Sequence, residues 1–219
     1  MKMCSSGFAP RRRQGGFIQG AILFALVIIA VVVAAFSLAN RDSQSSADSE
    51  QARVNASFVL KVGNDLQTGI NRAVADGFSP ANLTTNMLFD ETASVGDELN
   101  LFDTNLKYMV RPQFPPTALA TVDTVQPFSG TDGEGTGATA IWTTAAVEGA
   151  GNADEEAVVT VPGLREDVCR RINVTANSVL VTADIPAAIG DNGAREGCYD
   201  NGGDFTYFRV VATDAVPAA

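Results

Sequence analysis

The chain of 219 residues contains no histidine. This absence removes the commonest general base, every Ser-His-Asp or Cys-His arrangement and most catalytic zinc sites. Carboxylates are plentiful, with 25 Asp and Glu residues, but no pair of them stands out from an ordinary acidic surface. The composition therefore predicts that the chain is not an enzyme.

Basic residues are scarce and unevenly placed. Lys2 and Arg11, Arg12 and Arg13 are the only charged residues before Arg41, and the remainder of the chain is acidic, for a net charge of −10. No basic patch or stripe follows, so nucleic-acid binding is not predicted. About 180 residues remain after the N-terminal segment, which is enough for one domain with a sizeable core.

An uncharged apolar segment extends from Phe17 to Ala39. As a helix it would be about 35 Å long, which exceeds the hydrocarbon core of a bilayer at about 30 Å. A cleaved secretory signal is the alternative, but its apolar region is usually only about 7–15 residues long. We therefore expect a retained transmembrane helix. The arginines before it predict a cytoplasmic N-terminus, with residues 40–219 outside the cytoplasm.

Helical periodicity continues beyond this segment. No Gly or Pro occurs between Ala21 and Val62, and the polar stretch Asn40–Glu50 is either a flexible stalk or solvated helix. Apolar residues then recur at every fourth position, a spacing that strands cannot produce. We expect this helix to end at Asp76-Gly77. The apolar positions are Val54, Phe58, Val62, Leu66, Ile70 and Val74.

Strand-like segments occupy the second half of the chain. The predicted fold class is α+β, with a long N-terminal helix (a transmembrane half plus an amphipathic half) packed on an antiparallel β-sheet. Trp142, Phe205, Tyr207 and Phe208 alternate as core residues would. The predicted strands are Ala138–Ala146, Glu156–Val161, Ser178–Ile185 and Phe205–Thr213, with a short helix at Leu164–Ile172.

The chain has three cysteines. Cys4 lies in the basic leader. Cys169 and Cys198 both lie on the exported side, where an even pair favours a disulfide, although two buried free thiols are an alternative. A metal site would need more ligands than these two, and no histidine supplies them.

Asp-Asn-Gly sequences flank Cys198. Asp191, Asp200 and Asp204 are candidate calcium ligands, because carboxylate oxygens on glycine-rich turns suit Ca²⁺. The alternative is that Asp-Asn-Gly forms a tight turn without any ion. The spacing does not fit an EF-hand loop.

The sequence from Arg11 to Phe17, followed by the apolar segment, resembles the N-terminus of type IV pilins and of the related pseudopilins of type II secretion. The resemblance implies that a prepilin peptidase cuts between Gly16 and Phe17 and that the new N-terminus is methylated. It also implies a pilin-like fold, in which Cys169 and Cys198 bracket a disulfide-closed C-terminal region similar to that of type IVb pilins. Some pseudopilins bind calcium.

One position departs from the family. The usual glutamate at the fifth residue of the processed chain is Ala21 here. That glutamate is thought to pair with the terminal amine of a neighbouring subunit in an apolar environment. Some minor pseudopilins at filament tips also lack it, so the chain is either a shaft-forming or a minor subunit.

These observations predict four segments: a leader at 1–16, a transmembrane helix at 17–39, a stalk and amphipathic helix at 40–76, and a globular α+β domain at 77–219. The predicted function is that of a structural pilin or minor pilin subunit, anchored in a bacterial inner membrane and assembled into a periplasmic or extracellular filament. Its partners would be the membrane, copies of itself or related pilins, and prepilin peptidase. The alternative is a bitopic membrane protein with an uncleaved anchor and a periplasmic binding or scaffolding domain.

Overall fold

The structure, a computed structural model, describes residues 16–79, 86–91, 93–94, 96, 99–120, 126–128, 141–145, 147, 156–191 and 194–212. Within residues 16–45 only the side chains of Ile29 and Ala30 are described, and in the strand at 141–145 only those of Thr143 and Ala145. The leader before Gly16, Cys4 and most side chains of the predicted apolar span therefore lie outside the described residues.

Helix α1 extends from Gly16 to Ala75. The chain divides into two compact units, Met1–Asp48 and Ser49–Ala219, so that residues 49–75 of the helix belong to the second unit. The helix ends where the sequence predicts. Gly77 adopts a φ of 106°, and the Phe78 amide donates to the Ala73 carbonyl oxygen at 3.0 Å, which is the pattern of a Schellman C-cap.

The buried face of α1 differs from the predicted ladder. Val62, Leu66 and Ile70 are buried, but Val54 at the start of the ladder is 61% exposed. Each step of four residues advances about 40° beyond a full turn, so six such positions cannot share one face. Small residues complete the buried stripe at positions that the ladder omitted: Ala52, Ala56, Val59 and Ala73.

The strands form two sheets. The smaller is a parallel pair, and the larger is a four-stranded antiparallel sheet in the order β3-β4-β6-β5. A second helix follows β4, and a 3₁₀ turn at Pro116–Ala118 precedes β3. The elements are β1 Met87–Leu88, β2 Leu99–Asn100, β3 Ile141–Ala145, β4 Glu156–Leu164, α2 Glu166–Asn177, β5 Glu196–Asn201 and β6 Asp204–Ala212.

An aromatic cluster supplies much of the remaining core. Phe89 and Phe102 follow β1 and β2, whereas Phe114 and Phe128 come from loop segments farther along the chain. The four rings make contacts with centroids 5.1–6.1 Å apart. Phe58 of α1 meets the Phe114 ring edge to face at 5.4 Å. Such pairs contribute about 0.5–1.5 kcal/mol beyond their area burial. The cluster therefore ties the loop-rich middle of the chain to the helix.

The predicted fold class is wrong as stated. Among the helical residues that the structure describes, none forms a stretch long and apolar enough to cross a membrane. The described part of α1 beyond residue 45 carries Asp48, Glu50 and Arg53, whereas a span needs about 20 apolar residues. The strands as a set are mixed rather than antiparallel, because β1 and β2 pair in parallel. A transmembrane-plus-amphipathic helix packed on an antiparallel sheet is therefore not what the structure has.

Two further differences concern single elements. Ser178–Ile185, predicted as a strand, is irregular and exposed, because in the described residues it has no strand neighbour to pair with. Conversely, β5 was not predicted, since its sequence from Glu196 to Asn201 contains few strand-forming residues. Its strand conformation comes from pairing with β6 along its whole length.

Helix α1 lies directly against the sheet at Gly63. A Cβ built at this position would overlap the Tyr207 hydroxyl oxygen and would lie 3.0 Å from both Tyr207 Cζ and Glu196 Oε1. One turn along, Gln67 Nε2 donates to the Val211 carbonyl oxygen of β6 at 2.9 Å. The absence of a side chain at Gly63 is therefore what allows residues 49–75 to contact β6.

We expect Gly63→Ala to destabilise the second unit, although alanine is the better helix former by about 1 kcal/mol. Overpacking of this kind costs about 1–3 kcal/mol in a packed core. Urea unfolding of Gly63→Ala and of Gly69→Ala measures the difference, since a Cβ at Gly69 meets its nearest atoms at 3.3 Å. In a Tyr207→Phe background, which lacks the overlapping oxygen, the Gly63→Ala penalty should shrink. An equal penalty in both backgrounds would show that the phenol does not set this approach.

Candidate functional site: the clamped edge strand

A disulfide joins α2 to β5. Cys169 and Cys198, the pair expected from the sequence, are bonded with their Cα atoms 5.4 Å apart, and both residues are fully buried. The bridge closes a loop with a sequence separation of 29 residues. In the chain-entropy model, a loop of that size stabilises the folded state by about 3–4 kcal/mol.

Asn173 bonds to β5 one helical turn beyond Cys169. Its Nδ2 donates to the Cys198 carbonyl oxygen at 2.9 Å, and its Oδ1 accepts from the Cys198 amide at 2.8 Å. A further turn along, Asn177 Nδ2 donates to the Glu196 carbonyl oxygen at 3.0 Å. These side chains therefore supply hydrogen bonds that a neighbouring strand would otherwise make.

Strand β5 is the last strand of the described antiparallel sheet. An uncovered edge strand presents unpaired amide and carbonyl groups, which other chains can pair with. Cys169, Asn173 and Asn177 lie four residues apart and so share one face of α2. We call these three residues and their contacts on β5 the edge clamp, because together they cover and fix this strand.

A partly buried polar cluster connects β5 to β6 beside the edge clamp. Tyr207 Oη donates to Glu196 Oε1 at 2.5 Å, and Arg209 Nη1 donates to the same oxygen at 2.8 Å. Glu196 and Arg209 are directly opposite in the strand register. Burial raises the pKa of Tyr207 well above its ordinary value, and the adjacent negative charge of Glu196 raises that pKa further. The phenol is thus held as a neutral donor at the contact with α1.

A cleft of about 310 Å³ lies beside the edge clamp. Its lining combines amides, exposed carboxylates and apolar side chains, an arrangement able to hold a small polar or cationic group. The lining residues are Asn173, Asn177, Val179, Ala183, Asp184, Pro186, Asp191, Ala194, Cys198 and Phe208.

The calcium candidates are not brought together. Asp191 Oδ2 accepts from the Ala188 amide at 3.2 Å, Asp200 Oδ1 from the Gly203 amide at 2.6 Å, and Asp204 Oδ1 from the Gly163 amide at 2.9 Å. Over the part of the chain that the structure describes, no three carboxylates or thiols converge on a common point. Asp191 and Asp200 instead bond to the backbone of local turns, and Asp204 links the start of β6 to Gly163 of β4.

The candidate processing junction lies at the start of α1. Gly16 is the first residue of the helix, and Phe17 follows it. The side chain of Phe17 is not among those described, and residues 1–15 lie outside the described part of the chain. Cleavage between Gly16 and Phe17 stays a prediction.

Sequence reasoning did not find the role of Asn173. The triplet Asn173-Val174-Thr175 matches a glycosylation sequon, but the Asn173 side chain is buried and bonded to Cys198. The spacing of Asn173 from Cys169 was the available signal. It was missed because the predicted helix stopped at Ile172, whereas α2 continues to Asn177.

We expect Asn173→Ala to lower the free energy of unfolding by about 2–4 kcal/mol, because it leaves the buried amide and carbonyl of Cys198 without partners. Asn177→Ala is the matched control. It removes a single bond to β5 and should cost about 1 kcal/mol. Both are measured by chemical unfolding with the disulfide intact. Equal losses in the two variants would contradict the two-bond role of Asn173.

The raised pKa of Tyr207 predicts a stability loss at alkaline pH. Below the ordinary tyrosine value of about 10 the phenol is protonated in both states, and its contribution is complete. Above that pH the unfolded chain loses the proton while the folded chain keeps it, so stability falls until the folded pKa is reached. Tyr207→Phe should flatten the fall in the free energy of unfolding measured above about pH 10. Part of the slope should remain, because burial also raises the pKa values of Tyr108 and Tyr199. If the free energy of unfolding of Tyr207→Phe fell with pH as steeply as that of the parent chain, the alkaline loss of stability would not come from Tyr207.

Comparisons of the chain with protein-family models, with curated proteins and with solved structures gave no match.

Proposed function

We propose that the chain is a structural subunit of a filament of the type IV pilus or type II secretion kind. In this proposal it is a pilin or minor pilin that is anchored in a bacterial inner membrane before assembly. The chain acts by assembling into a filament and not by catalysing a reaction. Its partners are the membrane, copies of itself or related subunits, and a prepilin peptidase.

One observation carries the proposal. Helix α1 begins at Gly16, next to the residue that would become the new N-terminus, and continues to Ala75 as one helix of 60 residues. Only residues from Ser49 onward belong to the second compact unit. The sequence from Phe17 to Ala39 is uncharged, although most of its side chains lie outside the described ones. An uncharged segment placed before a folded unit suits storage in a bilayer and later packing against other helices.

The disulfide gives independent support for export. Disulfides form and persist in oxidising compartments and are rare in the cytoplasm. The Cys169–Cys198 bond lies in the unit that the arginine asymmetry assigns to the outside of the cytoplasm. A filament subunit also needs a durable folded unit, and the edge clamp prevents β5 from pairing with foreign strands.

The polar clusters of the second unit support a structural role. Glu196, Arg209 and Tyr207 bond to one another between α1 and the sheet, where they fix the packing of these elements. Ala21 stands where the family has its usual glutamate, so the proposal covers both a shaft-forming subunit and a minor subunit at a tip.

Intact mass of the membrane-extracted protein tests the proposal. In cells with an active prepilin peptidase, the mass should show the loss of residues 1–16 and the gain of a methyl group on Phe17. Gly16→Leu should leave the chain at full length, because the resemblance implies a peptidase that cuts after a glycine. Gly15→Ala changes the adjacent glycine and should be processed like the parent.

A full-length mass for the parent chain in those cells would overturn the proposal in favour of an uncleaved anchor. We also expect the chain to be recovered in filaments sheared from the cell surface or isolated from the periplasm, with Phe17 as its first residue.

A further inference from the structure

Two exposed apolar patches of opposite charge lie on the second unit. We call the first the acidic patch and define it as Val179, Leu180 and Val181 with Asp184 and Asp191. We call the second the basic patch and define it as Leu106 and Val110 with Lys61, Arg72 and Lys107. The two patches share no residue.

The acidic patch consists of three consecutive apolar residues beside the cleft of the edge clamp. Val179, Leu180 and Val181 are 38%, 77% and 40% exposed. Both Asp184 and Asp191 line the cleft and are exposed. The segment is fixed from below, because Arg170 Nη1 donates to the Ala183 carbonyl oxygen at 2.7 Å. The result is an apolar ridge with carboxylates beside it.

The basic patch borders a shallow cleft between α1 and the segment after β2. Val110 is 87% exposed and Leu106 is 47% exposed. The cleft has a volume of about 340 Å³ and is lined by two basic residues, one acidic residue and apolar side chains, among them Lys61, Arg72, Asp65 and Val110. Lys107 is exposed beside Leu106, and the ion pair of Lys61 with Asp65 leaves the Lys61 side chain 70% exposed. The sequence predicts no basic patch in this part of the chain, because Lys61, Arg72 and Lys107 are far apart in sequence; the fold brings Lys61 and Arg72 to one cleft.

A residue in the left-handed conformation lies at each patch. Among the described residues, two non-glycine residues have positive φ, Lys107 at 54° and Ser178 at 56°. Ser178 is the C-cap of α2, so its conformation ends the helix and leads the chain into the exposed segment that begins at Val179.

We propose that the acidic patch of one copy docks on the basic patch of the next copy. The proposal rests on the filament function and deepens it by naming the contact between subunits. Leu180 would enter the cleft beside Val110, which buries apolar surface that a monomer leaves in water. Asp184 and Asp191 would face Lys107, Lys61 and Arg72, and this complementarity fixes the orientation of the contact.

The geometry of such a contact is head to tail. Because each copy contributes a different patch, one acidic and one basic patch stay unoccupied at the ends of any open assembly. Head-to-tail contacts of this kind generate rings when the rotation closes and helical filaments when it does not. Copies that carry the same net negative charge repel one another at a distance, so a local cationic patch gives the approach its direction.

Cysteine cross-linking in the full-length chain tests the docking. The double variant Val110→Cys with Leu180→Cys, treated in intact cells with a short bismaleimide, should give a ladder of covalent multimers. Each single variant should give no cross-link, and an equal mixture of the two singles should give dimers only. Ala120→Cys with Leu180→Cys is the control, because Ala120 is exposed and belongs to neither patch.

Cross-linking of Leu180→Cys alone would indicate a symmetric contact and would overturn the proposal. Absence of the ladder in the double variant would also overturn it. If the ladder is absent, filaments are sheared from the same cells and the intact mass of the chain is measured. Processed chains in filaments would show that the filament function stands without this contact, whereas full-length chains outside any filament would show that the function itself fails.

Charge reversal gives a second, independent readout in the full-length chain. Asp184→Lys and Lys107→Glu should each reduce the yield of assembled chain by about tenfold, because like charges then meet across the contact. The two changes combined should restore most of the yield. Glu50→Lys, an exposed change of the same size outside both patches, should have no effect. A combined variant no better than the singles would contradict direct pairing of the two patches.

Discussion

The close approach of α1 to β6 at Gly63 is the constraint on which the second unit depends. Because Gly63 has no side chain, the Tyr207 phenol reaches the helix backbone and also donates to Glu196. Glu196 in turn accepts from Arg209 on the neighbouring strand, so this approach gives the buried phenol a partner in a cluster whose two charged members are partly exposed. The buried stripe of residues 49–75 follows from the same approach, and the aromatic cluster around Phe114 joins it through Phe58.

The edge clamp performs the complementary task at the end of the sheet. Strand β5 has little strand propensity of its own, yet it is held on one side by β6 and on the other by Asn173, Asn177 and the disulfide. Among the described residues, those from 178 to 185 of the exposed segment after α2 take no part in the strand pairing, and the segment bonds to β5 only beyond them, where the Pro186 carbonyl oxygen accepts from the Asp200 amide at 2.8 Å. The apolar side chains of Val179, Leu180 and Val181 are therefore available for contact with another copy, and this availability links the architecture to the proposed assembly.

Sequence reasoning predicted those elements whose signal is local. The end of α1 follows from Asp76-Gly77, strands β4 and β6 follow from runs of β-branched and aromatic residues, and the Cys169–Cys198 bond follows from an even pair in an exported segment.

Sequence reasoning failed where contacts with distant parts of the chain decide the structure. Ser178–Ile185 has strand-forming residues without a described neighbour, β5 has a neighbour without strand-forming residues, and Val54 fits the helical period but faces solvent. The predicted fold class was wrong because it relied on the apolar segment at 17–39 for a transmembrane helix and on the strand pattern for a purely antiparallel sheet. No helix of the described residues is long and apolar enough to cross a membrane, and β1 and β2 pair in parallel. The roles of Gly63 and Asn173 depend on contacts with distant strands, which spacing alone does not indicate.

Native-state hydrogen exchange on the full-length chain tests most directly whether α1 and the sheet form one cooperative unit. The residues to follow are the buried ones on either side of the Gly63 contact, which are Val59, Val62 and Leu66 in α1 and Thr206, Tyr207 and Phe208 in β6. The account predicts that both groups exchange with the same free energy of opening, equal to that of global unfolding. If the α1 amides exchanged with a much lower free energy than those of β6, the helix would open independently of the sheet, and the central role assigned to the Gly63–Tyr207 contact would be contradicted.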